Sequence, residues 1–381
     1  MIHKNKNFHW LFALPALLLV VGCSENTLPL PGEDPEDEMA ELQIVPQVTL
    51  TRSAIEASTD ASAVGTAMGS MAVYASNSVT NNTSNNYGLY TYSSSWSNSG
   101  NDKIYLSAEE ASIFAHYPAY APTTGGVLAT SGTALKVNGS GQVTANSTVN
   151  ISVFPGTDGA ETSKITAVDN ATGTTLATAS GEVDYMYANQ TGTAPKASYK
   201  KDTKDGTVTL VMKHALAMLS FRVYADHTYK NTGSLTKLVL NNSDGSTLNN
   251  GGTNPTMKIG DGTITSGTSP AAVTYTRTID SYTLEKASAD TDEARNTAKS
   301  ASKKVSILVL PEATQDKSKV QVTLKIDNQD YVVSLGNAAT NVWKAGNNYL
   351  YSVKLSGKEL SITSVTVTAW SPQDAGSLEI D

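Results

Sequence analysis

Apolar and polar residues alternate along most of the chain, and this pattern predicts β-strands. The clearest example is residues 319–326, where apolar side chains alternate with Lys, Gln or Thr: Val320, Val322, Leu324 and Ile326. Because successive side chains of a strand point to opposite faces, the segment is typical of an antiparallel strand with one buried face. Further runs of this kind lie at residues 42–50, 71–75, 103–106, 112–117, 143–154, 207–212, 235–240, 305–310 and 349–355.

The spacing of these runs, with Gly, Asn, Asp and Pro between them, predicts an all-β protein built from sandwiches or barrels. Residues 285–304 form the only convincing helical stretch. They lack a full apolar stripe, so we expect a short surface helix there. A joint is predicted between residues 189 and 205, where Gly192 and Pro195 precede a cluster of Lys and Asp. This gives two β-domains, at residues 42–195 and 196–381.

The first 22 residues have the features of a lipoprotein signal peptide. Lys4 and Lys6 form a cationic start, and residues 10–21 form an apolar run that is too short to span a bilayer. The run ends in Gly22 and Cys23, the small-residue approach to cysteine that a lipoprotein signal peptidase recognises. A buried structural thiol is the common role of a lone cysteine, but Cys23 directly follows a targeting segment. We therefore expect acylation of Cys23 and anchoring in outer-membrane lipid.

Residues 23–41 are predicted to form a solvated tether. They contain three prolines and a cluster of acidic side chains, and such a stretch cannot bury a core. The acidic residues are Glu33, Asp34, Glu36, Asp37, Glu38 and Glu41. An acidic run just after a lipidated cysteine resembles the surface-export signal of lipoproteins in the Bacteroidota. The resemblance implies the outer membrane and the cell surface as the location.

Composition excludes several classes of function. The net charge of −8 argues against nucleic acid as a partner, and the single cysteine leaves no disulfide framework. The chain contains no phosphate-binding loop, dinucleotide fingerprint, zinc-protease motif or nucleophile elbow. Residues 241–245 form a turn that only weakly resembles a calcium loop.

Titratable side chains in the chain give no pattern of a catalytic or metal site. Three histidines lie in separate strands or strand ends, with no cysteine or carboxylate at ligand spacing, and are interpreted as structural: His116, His214 and His227. Two groups of acids could act as glycosidase carboxylates, but adjacent surface acids are the simpler interpretation: Glu109 and Glu110, and Asp290, Asp292 and Glu293. We therefore predict no enzymatic activity, no cofactor and no metal.

Several segments, taken in order, resemble the fimbrillins, pilins of the type V class, and among them the small-fimbria-like subgroup. They are residues 69–74, 102–106, 114–118, 184–188, 210–221, 343–351 and 365–370. Each alone is a weak β-protein pattern, but the ordered set after a lipoprotein signal is fairly specific. The resemblance implies two transthyretin-like β-domains in tandem and a structural role in a fimbria, with other fimbrial subunits as partners.

The resemblance also implies a proteolytic maturation site. In polymerising fimbrillins an arginine-specific protease cuts after the first strand, and Arg52 directly follows the first predicted strand. Cleavage between Arg52 and Ser53 is therefore expected, although an ordinary loop arginine would show the same pattern. The remaining arginines of the chain are Arg222, Arg277 and Arg295.

Cleavage there would remove a strand whose alternating side chains should face the core of the first domain: Leu42, Ile44, Val48 and Leu50. A strand from a neighbouring subunit could then refill the groove by β-augmentation. Our candidate donor is the region 360–381, with Val365, Val367 and Ala369 as its apolar positions. The apolar phase changes near Thr363 and Ser364, which predicts a bulge. Equally, residues 360–369 could be the last strand of the second domain.

Alternatives from other classes remain open at this level. A non-polymerising fimbrial anchor or accessory would keep its lipid and escape cleavage at Arg52. A surface glycan-binding lipoprotein could use an exposed aromatic platform and bind a ligand on a host or bacterial surface; its candidate residues are Tyr87, Tyr90, Tyr92 and Trp96. A secreted hydrolase would need a catalytic site that the sequence does not contain.

Overall fold

The computed structural model describes an all-β chain with two short helices, which confirms the predicted fold class. Cys23 and most of the predicted tether lie outside the described residues. Contacts group residues 39–381 into one compact unit. The described residues are 40–48, 58–76, 87–98, 103–106, 110–123, 128–165, 178–188, 196–198, 206–242, 248, 250–311, 319–335, 343–357, 359–369 and 378–380.

The strands follow one another along the whole described chain. The first twelve are β1 Ala40–Glu41, β2 Gln43–Val48, β3 Ser70–Ser76, β4 Tyr87–Tyr92, β5 Trp96–Ser97, β6 Tyr105–Leu106, β7 Glu110–Tyr117, β8 Thr148–Asn150, β9 Lys164–Ile165, β10 Met186–Ala188, β11 Lys196–Ser198 and β12 Thr207–His214. The others are β13 Ala217–Ala225, β14 Ser234–Asn242, β15 Thr256–Lys258, β16 Ile264–Thr265, β17 Tyr275–Thr283, β18 Glu285–Lys286, β19 Lys304–Val309, β20 Val320–Ile326, β21 Gln329–Ser334, β22 Asn347–Ser356, β23 Glu359–Ala369 and β24 Leu378–Ile380.

Two α-helices interrupt the strands, α1 Ala61–Met68 and α2 Asp292–Ala301, along with a short 3-10 helix at Glu161–Ser163. The second lies inside the predicted helical stretch and buries only Ala298, as expected for a surface helix. The first was not predicted. It begins after Asp60, whose side chain accepts a hydrogen bond from the backbone of Ser62, and it ends at Gly69 with a positive φ of 67°. Both helices are too short to cross a membrane, and the described residues contain no other helix that could.

The first large sheet has the strand order β2, β12, β10, β7, β3, β4 and β5, with β11 paired to β7. Its end strands β2 and β5 lie close together, so the sheet curls into an almost closed barrel. The side chains inside it form the first hydrophobic cluster, which runs from Leu42 to Met218 and also includes a few later residues such as Leu308 and Leu310.

Two further sheets form a sandwich in the second half of the chain. One has the order β18, β13, β22, β23 and β24, with β19 also paired to β13, and the other has the order β21, β20, β14, β17 and β9. Between them lies the second hydrophobic cluster, which includes all four alternating apolar side chains of β20. Strands β16, β15 and β8 form a small separate sheet, and its Val149 and Met257 are buried in the first cluster.

The two clusters meet at the start of β13, where Met218 belongs to the first and Leu219 to the second. Strand β12 follows the predicted domain joint in sequence but pairs within the first sheet. The division at residues 195 and 196 stays a prediction.

Candidate functional site

The segment formed by β1 and β2 occupies a slot between two other strands. β1 pairs antiparallel with β6, and β2 pairs parallel with β12 from Gln43 opposite Thr207 to Val48 opposite Met212. Three side chains of the segment are buried in the first cluster: Leu42 at 0%, Ile44 at 5% and Val48 at 1% exposure. Leu50 lies outside the described residues.

Only one edge of β2 carries a continuous hydrogen-bond ladder. The amide of Gln43 donates to the carbonyl of Gly206 next to β12. The even-numbered residues Ile44, Pro46 and Val48 therefore direct their backbone groups to the opposite edge, away from β12. On that outer edge the amide of Val48 bonds the carbonyl of Ser58 at 3.0 Å. Pro46 lies between with no N–H to donate. Because of Pro46, β2 cannot build a full ladder to β5 and close the barrel.

The start of the segment is held by a few specific contacts. The amide of Leu42 donates to the carbonyl of Ile104 at 2.8 Å, and the hydroxyl of Tyr90 donates to the carbonyl of Leu42 at 2.8 Å. Lys103 and Glu41 form a half-exposed ion pair at 2.7 Å. Removing β1 and β2 would therefore open a slot with unpaired backbone groups on β6 and β12 and an apolar floor beneath.

The predicted cleavage site follows this segment directly. Arg52 and Ser53 lie outside the described residues. Val48 and Ser58, which precede and follow the predicted cleavage site in sequence, exchange two backbone hydrogen bonds of 3.0 and 2.7 Å. Helix α1 begins just after Ser58 and packs against β2.

The other three arginines are embedded in regular structure. Arg222 lies in β13, whose backbone is paired on both sides, with β19 and with β22. Arg277 lies in β17 and is fully buried. Arg295 lies in α2, where it bonds the carboxylates of Asp226, Asp290 and Asp292. Proteolysis concentrates at exposed loops, so the fold disfavours cleavage at these three positions.

The C-terminal candidate donor is divided between two strands. β23 pairs with β22 from Glu359 to Ala369, and it contains Val365, Val367 and Ala369. The register shifts where Ser352 faces Ser364 and Val353 faces Ile362, so Thr363 is the extra residue of a bulge and the predicted phase change is confirmed. Among the described strands, β24 pairs with the outer edge of β23 alone, over three residues.

The proposed aromatic platform is wrong, because most of its side chains are in the core. Tyr87 is 3% exposed, Tyr90 1% and Trp96 6%. The Tyr92 and Trp96 rings pack against each other with centroids 5.6 Å apart. A Tyr-rich sheet here packs against itself and offers no flat exposed surface for a sugar.

Two of the histidines contact carboxylates: His214 meets Asp184, which is distant in sequence, and His227 meets its own neighbour Asp226. Nδ1 of His214 lies 2.8 Å from Oδ1 of the buried Asp184, and Nδ1 of His227 lies 2.6 Å from Oδ1 of Asp226. Each cluster contains too few ligands for a metal, and the described part of the chain contains no group of three or more His, Cys, Asp or Glu arranged to bind one.

His116 is buried in the first cluster, and its burial lowers its pKa from 6.5 to about 4. Its Nδ1 lies 3.1 Å from the carbonyl of Pro118 and must donate, so its Nε2 accepts from the hydroxyl of Tyr74 at 3.2 Å. That hydroxyl in turn accepts from the amide of Val137. Both nitrogens of the neutral imidazole are thus hydrogen-bonded, and a proton on Nε2 would break the hydrogen bond from Tyr74.

We expect stability to fall as the pH falls through this histidine's range. The unfolded chain binds the proton more strongly, so the loss begins near pH 6.5 and is complete near pH 4. Lowering the pKa of His116 by this amount corresponds to roughly 3 kcal/mol of stability. Urea unfolding at several pH values between 6.5 and about 4 measures this loss. The variant His116→Asn, which keeps a donor for Pro118, should be less stable but show a flatter pH profile, and an equally steep profile would contradict the assignment.

Similarity to known proteins agrees with this architecture. No curated protein matches the chain. A candidate cell adhesion protein from Bacteroides uniformis is 16% identical over 89% of this chain and 100% of its own, with a TM-score of 0.51. A fimbrial protein from Bacteroides vulgatus is 13% identical over 87% and 99%, with a TM-score of 0.53. At such identities the likeness shows the fold alone. The sequence model of the Fimbrillin-like family matches residues 51–370, and the chain therefore belongs to that family.

Proposed function

We propose that this chain is a non-enzymatic structural subunit of a cell-surface fimbria. It is exported as a lipoprotein anchored through Cys23, matured by cleavage between Arg52 and Ser53, and assembled by donor-strand exchange. One observation carries the proposal: β1 and β2 lie between β6 and β12 as a separable segment with a buried apolar face. An arginine-specific protease, outer-membrane lipid and neighbouring subunits are its partners.

The energetics favour refilling of the slot once the segment leaves. Leu42, Ile44 and Val48 are buried, and burial of such side chains is worth roughly 1.5 to 3 kcal/mol each. Losing all three costs roughly 5 to 9 kcal/mol as an upper estimate. A new strand recovers this energy if it supplies apolar side chains at alternate positions and backbone partners for Ile104 and Tyr90.

The protection of the other arginines supports a single cut. Arg222, Arg277 and Arg295 lie in paired or helical backbone, whereas a protease needs a segment that can enter its cleft. Arg52 lies between residues whose backbones are joined by the Val48 and Ser58 bridge. After a cut at Arg52, β2 would be held only by hydrogen bonds and packing, so the segment could dissociate.

We expect Arg52→Ala to abolish maturation and filament formation. The purified full chain is treated with an arginine-specific protease, its N-terminus is determined by mass spectrometry, and filaments are counted by electron microscopy. Wild type should yield a product beginning at Ser53. Arg295→Ala is the matched control and should be cut normally. Filaments formed by Arg52→Ala, or assembled subunits with another N-terminus, would contradict the proposal. A chain that keeps its lipid and resists the protease would be an anchor.

A further inference from the structure

β21 is the last strand of one of the two sandwich sheets, and it is long and regular for such a position. All six of its residues pair with β20 in one unbroken register, from Gln329 opposite Ile326 to Ser334 opposite Gln321. Within the described part of the chain no strand pairs with the other edge of β21. Natural proteins shorten, cover or bend such an edge, because its backbone groups can pair with another chain.

The other terminal strands of the sandwich have this kind of protection. β9, β18 and β24 span only two or three residues each. All six side chains of β19 are buried, and the amide of its Leu308 donates to the carboxylate of Glu182. β21 contains no proline, no lysine and no bulge. Its edge is therefore suited to the addition of another strand.

One hydrogen bond shows which residues of β21 face this edge. The amide of Leu335, just after the strand, donates to the carbonyl of Val320 at 2.9 Å. Hydrogen-bonded positions alternate along an antiparallel pair, so the odd-numbered residues of β21 bond to β20. The even-numbered residues Asp330, Val332 and Ser334 direct their backbone groups to the outer edge.

The side chains of these even-numbered residues lie on the solvent face of the sheet. Tyr331 and Val333 pack against the second cluster, and successive side chains of a strand point to opposite faces. Val332 is 53% exposed and is the exposed large apolar side chain of the described residues. A strand added at the outer edge would bring a neighbouring side chain beside Val332 and remove part of its surface from water.

We propose that β21 pairs with β21 of a second copy of this chain, antiparallel and about a two-fold axis at Val332. The two copies of Val332 then lie opposite each other, and the amide of each donates to the carbonyl of the other. Asp330 lies opposite Ser334 of the second copy. A two-fold axis at Asp330 would place two carboxylates opposite each other, and one at Tyr331 would place Val332 opposite Asp330. The axis at Val332 avoids both costs.

The contact is small, so a single pair of subunits associates weakly. Two paired strands of six residues bury much less surface than the roughly 1,200 Å² of a stable interface. In a filament, which rests on the function proposed above, many copies of β21 are held together. Repeated weak pairs would then hold two filaments side by side. The same crowding favours a second copy of the chain over an unrelated extended peptide.

Cross-linking of the uncut full chain tests the pairing without any filament. Every variant carries Cys23→Ser, so the introduced cysteine is the only thiol of the chain. Val332→Cys should form a disulfide-linked dimer on oxidation, because opposed Cα atoms lie about 5.5 Å apart, within disulfide range. Asp330→Cys is the matched control on the same edge and face. Its two cysteines would lie about 13 Å apart along the strands, too far for a disulfide.

Sedimentation equilibrium of the uncut chain measures the association without a cross-link. Val332→Pro removes an outward N–H that makes no bond to β20, so it should abolish the rise of average mass with concentration. Asn296→Ala, at an exposed position of α2, should leave the rise unchanged. Thermal melting confirms that the variants are folded. If Val332→Pro does not fold, Val332→Lys replaces it, because two opposed lysines repel each other.

We expect at least tenfold more disulfide-linked dimer from Val332→Cys than from Asp330→Cys. The proposal is overturned if Val332→Cys gives no dimer, if both cysteine variants cross-link equally, or if Asp330→Cys cross-links better. It is also overturned if the Val332 variants associate as well as wild type. None of these results depends on cleavage at Arg52, so a failure of the proposed maturation would leave them unchanged.

Discussion

Glu182→Ala is expected to lower the free energy of unfolding by about 3 to 5 kcal/mol, because it leaves a buried charge without its partner. Arg277 and Glu182 form an ion pair at 2.8 Å, and their side chains are 0% and 1% exposed. Glu182 also accepts from the amides of Leu308 at 2.7 Å and Ala179 at 2.8 Å. The substitution therefore orphans two buried amides as well as the guanidinium.

The position of this pair makes the loss larger than that of a surface ion pair. Glu182 lies between Ala179, which belongs to the second cluster, and Val183, which belongs to the first. Arg277 lies on β17 and donates to the carbonyls of Phe154 and Pro155. The pair thus ties the inner face of the sandwich to the loop that leads toward the first sheet.

Urea unfolding of the intact chain at about pH 7 measures the effect. Glu293→Ala, an exposed acid on α2, is the matched control and should change stability by less than about 0.5 kcal/mol. Glu182→Gln keeps one oxygen, which can still accept from Leu308 and Arg277 but not also from Ala179, so it should be less damaging than Glu182→Ala. A loss below about 1 kcal/mol in Glu182→Ala would show that the buried pair is dispensable.

Local patterns in the sequence were sufficient for much of the fold. The alternation along β20 and the phase change at Thr363 both depend on neighbours within a few residues, and both appear in the structure. Helix α1 was missed because Ser, Thr and Gly within it are weak helix formers. Its signals were the cap at Asp60, the stop at Gly69 and the buried pair Val64 and Met68 one turn apart.

Contacts between residues far apart in the chain could not be predicted from the sequence. The parallel pairing of β2 with β12 joins Gln43 to Thr207, and no local signal reports such a partner. Tyr87 and Tyr90 of β4 were candidates for an exposed sugar platform, but the curled sheet turns both side chains inward. Glu182 and Arg277 lie far apart in sequence, so their ion pair could not be predicted from spacing. The proposed exchange site thus combines a strand that was predictable with pairing partners that were not.

The C-terminal donor region gives the second large expected effect. β23 is paired with β22 along its whole length, and Val365 and Val367 pack against the second cluster. Its departure would open that core. β24 is held by only three residues on an outer edge, so within the region 360–381 it can leave at the smallest cost. We therefore propose that the tail after β23 is the donor strand.

Deletion of residues 373–381 is expected to leave a folded subunit that no longer forms filaments after cleavage at Arg52. Deletion of residues 361–381 should instead unfold the second half, because it removes β23 from beside β22. Circular dichroism, thermal melting and electron microscopy distinguish the two outcomes. A shortened subunit that lacks residues 373–381 and still polymerises would contradict the assignment.

A matched pair of substitutions then tests the tail without shortening it. Residues two apart on a strand face the same side, so Leu378 and Ile380 would enter the alternate pockets vacated by Leu42 and Ile44, while Glu379 would face away. We expect the double variant Leu378→Ser and Ile380→Ser to abolish filaments and Glu379→Ala to retain them. Both should be cut at Arg52 like wild type, because the tail acts on a neighbouring subunit. Filaments retained in both variants would mean that the tail contributes backbone pairing alone, and equal loss in both would contradict the alternating pockets.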